Sequence, residues 1–395
     1  MTRNSRLRVY FAPCGIGLGH VGRCIPIARR LQNVETVFST YGEGTNYVRQ
    51  EGFHLIDAPP IWFQVKPDGS VDFRQTVVNP GPFMASFTLL KQIDFEVRAI
   101  QHFMPDVIVS DSRISSLMAG RMLGIPRICI LNEFQLIVPR RTHYLRLAML
   151  ADFISLAIIG KMWTSRNTVL IPDFPQPYTI CEGNLNIPKS FRKDVKLIGP
   201  ILPKHPDKLP SKEDLRKELK LSSGKPVIFA PISGPRLEKA FVSGILRKIL
   251  LEFQEDYEIV VSYGSPGADS KPVKQGNVTI YEWLPDRFGY LKACDLVIAR
   301  AGHGTITQCM CYGKPMILVP TPNHTEQITN ARQAQKLGIA SVILQECLDK
   351  KILLEKVRLG MRNETRERAE QVQKEALKHD GLEKAVRIVT GLAGR

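Results

Sequence analysis

No two of the eight cysteines are spaced as CxxC; they stand at positions 14, 24, 129, 181, 294, 309, 311 and 347. That excludes a zinc ribbon and a thioredoxin-type redox site. Most lie in apolar runs such as Arg127-Ile-Cys129-Ile-Leu131, which predicts reduced core thiols and a cytoplasmic setting. Long apolar runs are also missing. The nearest, Leu145 to Trp163, is interrupted by Arg146, Asp152 and Lys161, so no membrane span is expected. The first apolar run, Leu7 to Cys14, contains Arg8 and enters a glycine loop, which is not the pattern of a signal peptide. Acidic residues are scarce: 38 Asp and Glu face 54 Lys and Arg, for a net charge of +16. Such a balance favours a phosphorylated ligand, an anionic lipid surface or nucleic acid. No nucleic-acid module or interleaving of aromatic and basic residues is present, so a nucleic-acid partner is not expected.

The 395 residues exceed what one core usually organises. Short runs rich in Val and Ile begin at Val9, Thr36, Asp106, Arg127 and Thr168, with helical patterns near 22–32, 83–103, 113–123 and 142–163. A stretch with four prolines, Gly199 to Pro210, reads as a linker. The alternation then restarts, with strand-like runs at Val227, Glu258, Val278, Leu296 and Met316. Helical patterns lie near 235–253, 286–292, 303–312 and 324–337. This order predicts an α/β fold of two tandem Rossmann-like domains facing a cleft. The expected division is 1–200, 201–375, and a C-terminal helix at 376–395 packing back on the first domain. The charged tail from Leu348 reads as a pair of amphipathic helices.

The loop Cys14-Gly-Ile-Gly17-Leu-Gly19-His20-Val-Gly22 follows the first strand and opens a helix. Its glycines allow close backbone approach, and a helix start favours negative charge. The spacing is neither GxGxxG nor a Walker loop, and Ser39-Thr40-Tyr41 offers no acid at the end of strand two. A nicotinamide enzyme is thereby disfavoured. His20, at the helix start in the expected cleft, is the candidate general base. Asp111, at the end of another strand, could orient it or cap the helix beginning at Ser112. Gly17, Gly19 and Glu133 are candidates for holding an acceptor.

The most specific stretch runs from Ala299-Arg-Ala-Gly302-His303-Gly304-Thr305 through Gln308 to Asn323-His-Thr-Glu326-Gln327-Ile-Thr-Asn330. It reads as strand, glycine turn, helix start, strand and second helix. The amides of His303 to Thr305, with the helix dipole, could hold a diphosphate without a metal. There is no Asp-x-Asp motif, so neither metal nor cofactor is expected.

This stretch resembles the donor-binding signature of GT-B glycosyltransferases, and most closely the MurG type, which transfers N-acetylglucosamine to lipid-linked acceptors. The N-terminal glycine loop ending in His20 resembles that of the same family. The resemblance implies an inverting, metal-independent transfer from a UDP-sugar to an acceptor hydroxyl, with the enzyme peripheral at the inner face of the cell membrane. It implies that His303, Gly304 and Thr305 face the donor diphosphate and that Ser233 and Gly234 form a donor-contacting turn. Trp283 and Leu284 would read the base, while Glu326 and Gln327 would read sugar hydroxyls. His20 and Asp111 match a His–Asp base pair. Gln308 stands where the family has a ribose-binding glutamate, which leaves the nucleotide open. The apolar segments 81–90 and 145–163, edged by Arg140, Arg141, Lys161 and Arg166, would suit a bilayer interface. Two other readings share parts of this pattern: a non-hydrolysing nucleotide-sugar 2-epimerase, and a basic nucleic-acid-binding or donor-binding accessory protein.

Overall fold

The computed structural model describes residues 6–61, 66–70, 81–134, 160–185, 187–253 and 256–393. Most of the expected segment 145–163 lies outside them, as do the side chains of residues 81–86. Within these residues the chain forms two seven-stranded sheets. The first comprises β1 (Leu7–Pro13), β2 (Val34–Thr40), β3 (His54–Asp57), β4 (Val107–Asp111), β5 (Arg127–Ile130), β6 (Thr168–Ile171) and β7 (Val195–Leu197), in the order β3-β2-β1-β4-β5-β6-β7. All its pairings are parallel. The second comprises β8 (Val227–Pro231), β9 (Glu258–Ser262), β10 (Val273–Gln275), β11 (Val278–Tyr281), β12 (Leu296–Ala299), β13 (Met316–Leu318) and β14 (Ala340–Val342). Its order is β10-β11-β9-β8-β12-β13-β14, and only the β10–β11 pairing is antiparallel. Two tandem doubly wound units follow, as the alternation of runs required.

Central strands are apolar throughout because helices cover both faces. In β1, Val9, Tyr10, Phe11 and Ala12 are all fully buried. Val9 and Phe11 pack in one cluster, Tyr10 and Ala12 in another on the opposite face. A polar group is buried beside them: Glu96 accepts hydrogen bonds from the Tyr10 hydroxyl at 2.9 Å and the Ser39 hydroxyl at 2.7 Å, and pairs with Arg113. That satisfaction is what makes an internal charge tolerable.

The strands absent from the sequence reading are β3, β7, β10 and β14, the four sheet edges. Edge strands are short and half-exposed, so they lack the continuous apolar signature. The tail was expected to form two helices; it forms three, Lys350–Gly360, Asn363–Ala376 and Gly381–Ala393. The last packs against helix Gly19–Arg30 of the first unit, where Ala385 and Val389 are fully buried. The loop after β6 crosses the other way and places Phe174 and Ile180 in the core of the second unit. The two units are thus joined by exchanged segments.

Candidate functional site

The carboxyl ends of both sheets open on one cavity of about 610 Å³, lined from both units. Ligands of open α/β sheets sit at such ends. On the first side, β1 leads into Cys14–Leu18 and then helix Gly19–Arg30, which carries His20 and, one turn on, Arg23. Asp111 ends β4 and is fully buried behind them. His20 Nδ1 lies 2.7 Å from Asp111 Oδ1. Arg23 donates Nε to Asp111 Oδ2 at 2.9 Å and Nη2 to Oδ1 at 2.7 Å. Burial raises the Asp111 carboxyl, but Arg23 and then His20 outweigh it and hold the group below the usual carboxylate range. Arg23 Nη2 also lies 3.0 Å from His20 Nδ1, but its two hydrogens are directed to Asp111 Oδ1 and Asn132 Oδ1. With an ionised Asp111 able only to accept, the arrangement favours the proton on His20 Nδ1. Nε2 is then the basic nitrogen, and the ring, about one quarter exposed, borders the cleft. The expected capping role of Asp111 is not realised: helix Ile114–Met122 has no side-chain cap bond.

Gly17, Gly19 and Glu133 all line the cavity. Gly17 has φ +69, at which a side chain is strained, and an added Cβ would meet Pro235 of the other unit at an ordinary 3.6 Å. Burial, then the nearby Glu326, raises the Glu133 carboxyl to about 8. It is therefore largely protonated at neutral pH and can donate a hydrogen bond.

On the second side, Ser233 and Gly234 follow β8, and Trp283 and Leu284 follow β11; all four line the cavity. Trp283 meets Tyr47 of the first unit edge-on, centroids 5.6 Å apart. Gly302 caps helix His303–Cys311. Gly302, Gly304, Thr305 and Gln308 border the cleft, and a Cβ on either glycine would meet nothing within 4 Å. Two expectations change here. The Thr305 amide donates to Gly302 O at 3.1 Å, which leaves the amides of His303 and Gly304 to face a ligand. His303 lines the cavity, but its ring is buried, 3% exposed, with Nε2 3.1 Å from Asp173 Oδ2 just beyond β6. That contact lacks hydrogen-bond alignment.

Glu326 and Gln327 open helix Thr325–Lys336 and line the cavity. Glu326 accepts from Asn132 Nδ2 of the first unit at 2.7 Å and from Asn330 Nδ2 at 3.2 Å. Asn330 itself is fully buried, with Nδ2 also 3.3 Å from Ala301 O. It supports Glu326 and does not line the cleft. Gln327 accepts from the Thr321 amide at 3.0 Å.

Sequence reasoning missed Arg23, Asn132, Glu238, Arg287 and His324, all of which border the cleft. Arg23 stands at i+3 from His20 on one helix, a signal that was available. The others are brought in by topology. Burial, against the pull of Arg300, raises Glu238 to about 7, and burial holds the His324 imidazole below its ordinary value. Among the described residues one set has metal-ligand spacing: Asp173, Cys181 and His303, all buried. Asp173 Oδ1 already accepts the amides of Phe174 and Ile180, and Oδ2 that of Cys181. A carboxylate so occupied reads as a brace for the loop after β6.

Residues 236–386 match the glycosyltransferase family 28 C-terminal domain. An uncharacterized glycosyltransferase of Methanosarcina mazei is 25% identical over 389 residues, covering 96% of this chain and 97% of that one. The UDP-N-acetylglucosamine–N-acetylmuramyl-(pentapeptide) pyrophosphoryl-undecaprenol N-acetylglucosamine transferase of Caldanaerobacter subterraneus subsp. tengcongensis is 26% identical over 390 residues, covering 92% and 94%. The crystal structure of Acinetobacter baumannii MurG aligns with a TM-score of 0.57 at 17% identity over 98% and 99% of the two chains. The second unit thus matches the glycosyltransferase family 28 C-terminal domain, the chain has the GT-B fold, and near full-length similarity to curated glycosyltransferases supports a glycosyltransferase.

Proposed function

We propose that this chain is an inverting glycosyltransferase that moves a sugar from a nucleotide diphosphate to an acceptor hydroxyl without a metal. The observation that carries the reading is the His20–Asp111 contact of 2.7 Å, in a cavity that also holds a helix start at Gly302 and the sugar-reading candidates Glu326 and Gln327. His20 Nε2 takes the acceptor proton while Asp111 holds the ring and steadies the imidazolium. The acceptor oxygen then bonds to the anomeric carbon as the bond to the diphosphate breaks. The amides of His303 and Gly304, with the helix dipole, receive the charge of the leaving group. Side-chain and main-chain donors suffice for this, so no cofactor enters the scheme.

UDP-N-acetylglucosamine is the donor we favour, from the N-acetylglucosamine transferase relative. A lipid-linked acceptor is the matching proposal, supported by that relative and by the net charge of +16. No described helix is long and apolar enough to cross a membrane. Contact with an anionic surface would be peripheral, and flotation with anionic liposomes tests it: protein left at the bottom of the gradient rejects it.

The donor site is tested by thermal shift with UDP, GDP, dTDP, UDP-N-acetylglucosamine and UDP-glucose. A ligand of the native state must raise the melting temperature. A shift with one nucleotide names the base, and none with any of them rejects the reading. One observation keeps a second reading in view. Glu133 and Glu238 border the cleft with raised carboxyls, and Glu326 joins them, which is a set that 2-epimerisation could use. Conversion of UDP-N-acetylglucosamine with no acceptor present would favour that reading.

A further inference from the structure

The base of the first unit and the sugar-reading carboxylate of the second are not independent groups. Arg23 forms a two-point contact with Asp111, and its Nη1 and Nη2 each donate to Asn132 Oδ1 at 3.1 Å. Asn132 Nδ2 donates to Glu326 Oε1 at 2.7 Å across the cleft. The amide of Asn132 has one workable orientation. Flipped, its NH2 would meet the guanidinium and its oxygen would meet the carboxylate, and both contacts would repel. Arg23, 11% exposed, and Asp111, fully buried, sit where such contacts are strong and unpaired groups are expensive.

We infer that Arg23 and Asn132 are positioning residues, forming a polar relay from His20 through Asp111, Arg23 and Asn132 to Glu326. The inference rests on the glycosyl-transfer reading for the role of Glu326. The relay has a direct consequence. Whatever holds Glu326 in register, including a sugar on its carboxylate, favours the Arg23 geometry that keeps Asp111 facing His20. Coupling of this kind is reciprocal: setting His20 also sets Glu326. The base is thereby aligned when the donor-reading group is in place. Arg23 need not touch substrate for this, because it acts through Asp111 and Asn132.

The test uses the full chain with 15N-labelled histidine; His20 is assigned among the eight histidines by loss of its signals in H20Q. In the wild type at pH 8, His20 should show the Nδ1–H tautomer. N132D sets a second carboxylate against Glu326, and their repulsion pushes residue 132 out of register and takes Arg23 with it away from Asp111. Arg23 Nη2 also lies 3.0 Å from His20 Nδ1, so its displacement and the loosened Asp111 together should make His20 a mixture of tautomers although Asn132 does not touch the ring. The double substitution N132D/E326Q reverses donor and acceptor in the cross-cleft bond and should return His20 towards the wild-type signal. N132D should also weaken UDP-N-acetylglucosamine by about fivefold or more while leaving UDP unchanged. Melting curves confirm that each variant is folded. Wild-type His20 signals in N132D, a double variant no nearer to wild type than the single, or equal loss of both nucleotides would overturn the relay. A wild type that binds no nucleotide fails the glycosyl-transfer reading instead, while the tautomer comparison still reports whether the relay exists.

Discussion

Gly304 separates folding from ligand binding, and G304A should move the two in opposite directions. The residue is in the first turn of helix His303–Cys311, with no positive φ and no atom within 4 Å of an added Cβ. Alanine removes conformational freedom from the unfolded chain and favours the helix, worth about 0.5 kcal/mol at such a position. In a domain of this size that raises the melting temperature by about 1–2 °C. The same Cβ enters the space where a diphosphate would approach the amides of His303 and Gly304. Losing two hydrogen bonds to a charged group costs about 3 kcal/mol, or roughly 100-fold in affinity. Differential scanning calorimetry gives the first quantity and isothermal titration with UDP gives the second. A melting temperature lowered by several degrees would mean that the site is not open. Unchanged affinity would mean that the diphosphate does not lie against this helix.

H20A should cut turnover by about 10²–10⁴-fold and leave donor affinity nearly unchanged; equal turnover removes His20 from the chemistry. E96A strips the buried Arg113 of its partner and should destabilise the fold by about 3–5 kcal/mol in urea unfolding, whereas a loss below 1 kcal/mol would show that the pair is not internal. Glu133, raised to about 8, stays protonated in the native state where the unfolded chain ionises near pH 4. Its contribution therefore erodes stability as pH rises from about 4 to about 8. E133Q should melt about 3–6 °C above the wild type at pH 9 for each 1.4 kcal/mol relieved, and the gap should close at pH 4. Gln308 is a neutral neighbour for the ribose, so Q308E should raise the preference for UDP over its 2′-deoxy form by at least about tenfold, read by competition binding; an unchanged ratio would place the ribose elsewhere.

The sequence by itself determined the elements whose residues are buried on both faces. β1, β4, β8 and β12 are continuous apolar runs because helices cover both sides of a parallel sheet, and such runs are legible without partners. It also placed His20, Gly302 and Glu326 at element ends, because glycine turns and helix starts are local events. Tertiary structure decided the rest. The edge strands β3, β7, β10 and β14 pair on one side only and carry a diluted pattern. The His303 ring is buried against Asp173, a carboxylate 130 residues earlier in the chain. The Asp111 carboxylate went to Arg23 and His20 rather than to a helix cap, since a buried charge gains more from a guanidinium than from an exposed amide. The Asn132–Glu326 bond spans 194 positions and both units. Local periodicity reports which face of an element is apolar. Which polar groups meet across the cleft depends on how two folded sheets are set against each other, and no local pattern encodes that.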